Sequence, residues 1–332
     1  MLEFTIFIIL VALVFDFLNG MNDAANSIAT VVSTRVLSPK LAVLWAAFFN
    51  FAAAFGFGVS VATTIGKGIV DVSIVNHELI LCALIGAILW THVCTHYGLP
   101  ISVSHSLIGG LAGAAISKAG FTALVSYGLT KVAIFIILSP IIGMVLGFSL
   151  MVLVMWIFKK KNPSKVDKFF RVGQLISSAA FSLGHGTNDA QKTMGIIAIL
   201  LYTGGYLGDT FYVPFWVVII AHLTIAAGTM YGGWKVVKTM GMRLTHLQPM
   251  GGFCAETAGA FVLIGTAIAG IPVSTTHTVA GGIMGVGATR RLSAVRWGLA
   301  GKIVWAWILT IPISGLIGYL TFALVDPIYK LF

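Results

Sequence analysis

The residues in this chain best suited to chemistry occur as two copies. A Gly-x-Asn-Asp tetrad lies in FDFLNGMNDAANSIATV (15–31) and again in FSLGHGTNDAQKTMGII (181–197). Each copy is followed by a Gly-aliphatic-Pro-aliphatic-Ser turn ending in histidine, GLPISVSHSLIGGLAG (98–113) and GIPVSTTHTVAGGIMG (270–285). Asp23 precedes His105 by 82 positions and Asp189 precedes His277 by 88, so order and spacing are both kept, as an internal duplication requires. Asn22, Asp23, Asn188 and Asp189 offer oxygen ligands only. Such ligands suit a hard cation such as sodium, and the carboxylates equally suit a transferable proton. Each pair sits just beyond a glycine, where an unwound helix would add backbone carbonyls. Asn26 lies one turn past Asp23 on the same face. Its counterpart, Lys192, brings a positive charge to the second copy, either to contact an anion or to neutralise Asp189.

The second motif points to anions. Pro100 and Pro272 suit the first turn of a helix, where a missing N–H costs nothing, and Ser102, Ser104, Ser274, Thr275 and Thr276 add hydroxyls to the free amides. Such an end carries roughly half a positive charge. Two of them converging near the midplane would hold a tetrahedral oxyanion between positive poles. His105 and His277 either donate to that anion or lock the hydroxyl turns. Glu256, in the apolar stretch before the second turn and without a counterpart in the first copy, reads as a cation or proton ligand or as a buried paired charge. Asp16 reads as a helix-end or interhelical contact in preference to a ligand.

The elements that must position these groups are membrane helices. Of 332 residues, 58% are hydrophobic and 9% charged, with mean hydropathy +1.00, more apolar sequence than a soluble core needs. Stretches near the roughly 20 residues that span a bilayer occur at 4–19, 41–65, 79–97, 131–158, 169–183, 211–231, 251–269 and 299–324. Shorter or glycine-rich pieces at 20–34, 100–117, 190–203 and 272–288 are expected to be half-helices. Glu3 and the direct run into the first motif predict a retained transmembrane helix at the N-terminus, with no cleaved signal.

The net charge of +10 is concentrated in loops, above all KKKNPSKVDKFFR (159–171), which argues against nucleic acid as a partner. The positive-inside rule makes 159–171 a cytoplasmic linker between a first repeat, 1–158, and a second, 172–332. Three separated cysteines, Cys82, Cys94 and Cys254, supply no disulfide framework. No nucleophile–base pair and no complete metal set can be assembled, so an enzyme is not expected, nor a cofactor beyond co-transported ions.

GMNDAANSIATVVSTR, GHGTNDAQKTMG and GIPVSTTH resemble the paired signatures of the inorganic phosphate transporter (PiT) family, and the likeness extends through ILSPIIG (137–143) and ILTIPISG (308–315). The resemblance implies a symporter that imports inorganic phosphate with sodium ions or protons across the plasma (cell inner) membrane, as a homodimer in the lipid bilayer. It implies an all-α polytopic fold of two inverted-topology repeats with discontinuous half-helices. Matched residue by residue are Asn22, Asp23, Asn26, Asn188, Asp189, Gln191, Glu256 and the two Ser/Thr clusters. Phosphate is then expected at Asn26, Ser102, Ser104, His105, Gln191, Lys192, Ser274, Thr275, Thr276 and His277, and the coupling cations at Asn22, Asp23, Asn188, Asp189 and Glu256. Inverted repeats cross the membrane an odd number of times each, so a cytoplasmic linker would leave both termini outside.

Two physical arguments run beside the resemblance. An inside-negative potential opposes anion entry by about 2.3 kcal/mol per charge per 100 mV, which demands co-bound cations. Protonated phosphate can also donate a hydrogen bond to a carboxylate that sulfate would leave unpaired. A symporter of another oxyanion such as sulfate, or an anion channel, would use the same half-helices.

Overall fold

A backbone in lipid has no water to satisfy its N–H and C=O groups, so the apolar stretches fold as helices. The computed structural model describes residues 2–56 and 58–329. Their order is α1 (Leu2–Ser33), α2 (Pro39–Ala52), α3 (Ser60–Gly68), α4 (His77–Tyr97), α5 (Val103–Ala119) and α6 (Ser126–Phe158), then α7 (Pro163–Thr203), α8 (Phe215–Tyr231), α9 (Trp234–Lys238), α10 (Pro249–Ile268), α11 (Thr275–Ala288) and α12 (Trp297–Tyr329). The protein is all-helical and polytopic. Helices α1, α4, α6, α10 and α12 are each long and apolar enough to cross a membrane. Two bent pairs qualify as broken spans: α2 with α3, at 82°, and α8 with the segment 234–243, at 64°.

The same succession occurs twice: a long motif-bearing helix, a bent pair, a span, a half-helix, and a 33-residue helix with an internal proline, Pro140 in α6 and Pro312 in α12. The halves interlock, because α5 of the first packs on α12 of the second while α11 packs on α6. Small residues permit that approach. A Cβ on Gly113 of α5 would lie 1.9 Å from the Gly315 carbonyl oxygen, and one on Gly285 of α11 would lie 2.1 Å from that of Met144.

Helices α1 and α7 run antiparallel down the centre. Thr193 meets Asp16, His185 faces Asp23 and Thr34 meets Gln174, so numbers rise along one helix as they fall along the other.

Three sequence expectations need correction. The pieces at 20–34 and 190–203 are not separate half-helices, because α1 and α7 continue unbroken through Gly20 and Gly186. These glycines serve contact between helices: a Cβ on Gly20 would stand 2.2 Å from the Ile225 carbonyl oxygen of α8, and one on Gly186 2.5 Å from that of Asn50 in α2. The stretch 41–65 is no single span but the bent pair α2 and α3. The basic segment 159–171 is a loop only at 159–162. Asn162 caps α7 by accepting from the Ser164 amide at 2.9 Å, Pro163 takes the first helical position, and the Asp167–Arg171 pair lies one turn on. The pieces at 100–117 and 272–288 are the half-helices α5 and α11, as expected.

Candidate functional site

Each hydroxyl turn starts a half-helix. Ser102 accepts from the His105 amide and Ser274 from the His277 amide, both at 3.2 Å, so these two serines are N-caps. Their oxygens satisfy one amide each, and the other first-turn amides have no intrahelical acceptor. The two starts meet. The rings of His105 and His277 lie 4.8 Å apart, and His277 stacks on Trp307 at 3.8 Å. Trp307 in turn donates to the Pro100 carbonyl at 2.9 Å, and His277 Nδ1 lies 3.4 Å from the Ile136 carbonyl. Both histidines therefore have packing roles that lock the turns.

Lys192 connects the two starts with the tetrads. Its ammonium donates to Ser104 at the start of α5, to the Val273 carbonyl just before α11 at 3.0 Å, and to Asp189. Of the two readings of Lys192, the ion pair with Asp189 is formed, and the same ammonium reaches both hydroxyl turns. Thr275 Oγ1 lies 3.2 Å from Asp23 and 3.1 Å from Asp189, and Thr276 donates to Asp23 at 3.2 Å. Asn26 donates to Thr276 at 3.0 Å. All of these side chains are buried.

His185 completes the cluster, and the sequence reading missed it. Its Nε2 is 3.2 Å from Asp189 and 4.0 Å from Asp23, while Nδ1 meets Asn50 at 3.1 Å. Ligand atoms of Asp23, His185 and Asp189 all lie within 4.8 Å of one another, a spacing that one cation can bridge. The available signal was its place at i−4 from Asp189. Its counterpart in the first copy is Asn19, so the duplication gives it no emphasis.

Other expected residues lie around or apart from this centre. Asn22 donates to Thr95 of α4 at 2.7 Å. Asn188 is buried with both amide atoms unpartnered. Gln191 turns its carbonyl oxygen to the Val61 and Ala62 amides at 2.8 and 3.2 Å, capping the start of α3 instead of facing the hydroxyl turns. Glu256 belongs to a second polar cluster. It accepts from Thr30, Gln174 and Ser177 at 2.5, 3.0 and 2.5 Å. Thr30 stands two turns, about 10 Å, along α1 from Asp23.

The centre thus has two half-helix N-termini, five hydroxyls and an ammonium on one side and two carboxylates with an imidazole on the other. Groups suited to an anion thus stand next to groups suited to a cation. Residues 19–318 match the model of the phosphate transporter family. The chain belongs to that family. It is 58% identical over 319 residues, 96% of each chain, to a probable low-affinity inorganic phosphate transporter of Rhizobium meliloti (strain 1021). It is 43% identical over 331 residues, 99% of each chain, to the protein of the same description in Bacillus subtilis (strain 168). A solved structure, the sodium-dependent phosphate transporter, superposes with TM-score 0.91 at 26% identity over 98% of this chain and 100% of that one. This phosphate transporter is therefore a multi-pass membrane protein whose buried polar centre is the place to seek its substrate.

Proposed function

We propose that this phosphate transporter imports inorganic phosphate by symport with sodium ions or protons, and that phosphate binds between the starts of α5 and α11. The carrying observation is that two buried carboxylates, Asp23 and Asp189, share the centre while its one ammonium, Lys192, pairs with Asp189 alone. One ammonium offsets one carboxylate, which leaves the second without a compensating charge. A phosphate anion entering beside it would add uncompensated charge in a low dielectric, at a cost of several kcal/mol. Co-bound cations remove that cost, so anion and cation each raise the other's affinity, as linkage requires.

In this reading Lys192, Ser104, Thr275, Thr276 and the first-turn amides hold the phosphate oxygens. Asn26 orients the two threonines. Asp23 and Asp189 take the cation, with Asn22, Asn188 and His185 beside them, and accept a hydrogen bond from protonated phosphate that sulfate cannot supply. The antiparallel course of α1 and α7 supports inverted repeats, whose rocking about the fixed centre gives alternating access.

Uptake of labelled phosphate into proteoliposomes, with sodium and pH gradients imposed separately, tests this. One gradient should drive accumulation, and Asp23→Asn or Asp189→Asn should abolish it while the protein still inserts. Normal cation-driven uptake in both single variants would defeat the coupling role. Competition by excess sulfate as strong as by phosphate would defeat the assigned selectivity.

A further inference from the structure

We propose that Asp16 is a proton-binding site of this transporter, formed by its free carboxylate oxygen and Asn19 and lying along the α1–α7 seam from the Asp23–Asp189 centre. This deepens the symport reading above and rests on it. Asp16 has no solvent exposure. Its Oδ1 accepts from Thr193 Oγ1 at 2.8 Å and its Oδ2 has no partner. Asn19, one turn on at i+3, occupies the same face of α1. It is 1% exposed and neither its amide nitrogen nor its amide oxygen is partnered. A carboxylate in that position, with a single neutral donor and no cation, is expensive in its charged form.

The internal duplication shows that packing does not require it. The offset that superposes Asp23 on Asp189 carries Asp16 onto Ser182 and Ser27 onto Thr193, so the Asp16–Thr193 contact corresponds to Ser182 and Ser27 across the same seam. Those two serines are buried and neutral. A hydroxyl pair therefore suffices to fill the equivalent place, and the first copy carries an acid in addition. The helix is unbroken here, so no backbone carbonyl is released to build the six or so oxygen ligands a hard cation prefers. A proton needs less. It bonds to Asp16 Oδ2, the resulting O–H donates to the Asn19 amide oxygen, and on release it returns to water, leaving the carboxylate with its Thr193 bond.

Acidic, basic and histidine side chains on the helices packed against α1 are Lys40 on α2; His77, Glu78, His92 and His96 on α4; His105 and Lys118 on α5; and, on α7, His185, Asp189 and Lys192 along with the residues of its basic start. They continue with His222 on α8, Lys235 and Lys238 on α9, Arg243 just after it, Glu256 on α10 and His277 on α11. Of these, Asp189 lies one turn before Thr193, the partner of Asp16, and its like charge repels Asp16. Neutralising Asp16 thus eases the return of negative charge to Asp189, which links its proton to the state of the phosphate centre.

The test uses the full chain in proteoliposomes, reading labelled phosphate and a trapped pH dye together. Asp16→Asn should lower the number of protons moved per phosphate and weaken accumulation driven by a pH gradient, while exchange of phosphate across equilibrated membranes continues. An unchanged proton-to-phosphate ratio overturns the site. Asn19→Ala keeps the acid and deletes its acceptor, so the midpoint of the pH dependence should move toward acid; an unmoved midpoint overturns the site even where Asp16→Asn fails to fold. A parent protein driven by sodium without proton movement overturns the Asp16 site and leaves cation symport standing. Uptake indifferent to both gradients overturns the two together.

Discussion

Lys192 ties substrate recognition to charge balance at the level of single side chains. Removing one member of a buried ion pair costs about 3–5 kcal/mol, because the other charge is left without compensation. Lys192→Met should accordingly lower the melting temperature of the purified protein sharply. The double variant with Asp189→Asn should recover part of that loss and still fail to take up phosphate. Restored uptake in the double variant would show the pair to be structural alone. The hydroxyls divide differently. Ser102→Ala and Ser274→Ala delete N-caps and should cost about 0.5–2 kcal/mol of stability each. Thr275→Ala with Thr276→Ala should instead weaken phosphate binding by roughly tenfold or more, since neutral donors to a charged ligand contribute about 1.5–3 kcal/mol each at most. Equal effects of both pairs on affinity would place the phosphate elsewhere.

Among the elements, the continuity of α1 and α7 matters most, and it rests on glycines that are contact points. Gly20→Ala would drive a methyl group to 2.2 Å from the Ile225 carbonyl oxygen, so α1 and α8 must separate. Yield of folded protein should fall, along with transport. Gly265→Ala in α10 meets nothing within 4 Å, and helix propensity favours alanine there by about 0.5–1 kcal/mol. It should therefore be neutral or slightly stabilising in a thermal melt. A Gly20→Ala protein as stable as Gly265→Ala would mean that the glycine serves flexibility, as the sequence reading expected. Glu256 also belongs at this scale. The repeat offsets carry its partner Gln174, and Thr34 bonded to Gln174, onto Ile8 and Leu200 in the apolar core. One end of the central seam is thus polar and the other apolar, an asymmetry laid over a duplicated frame.

For the whole molecule, the interlocked halves predict a definite topology. A cysteine at position 160 and one at position 2 should react with a membrane-impermeant reagent from opposite sides, the first from the cytoplasm. Cys82, Cys94 and Cys254 are buried, so they contribute little background. Reaction of both positions from one side would remove the inverted arrangement. Because α5 packs on α12 and α11 on α6 as well as on helices of their own halves, an isolated half exposes the faces that the other half covers, and expressing residues 1–158 alone should give aggregated protein.

Several features were legible in the amino-acid order alone because each follows from a local rule. Apolar runs must be helices in lipid, the duplicated motifs declared two repeats, and a serine just after a proline suits the start of a helix. The half-helices α5 and α11 belong to that class. The meeting of Lys192 with both starts belongs to the tertiary structure, as do the unbroken α1 and α7, the place of His185, the diversion of Gln191 to the α3 cap and the separation of Glu256 from the centre. A glycine beside an aspartate reads identically whether the helix unwinds or another helix presses against it, and only the neighbour's position, set by packing across the whole chain, decides between the two.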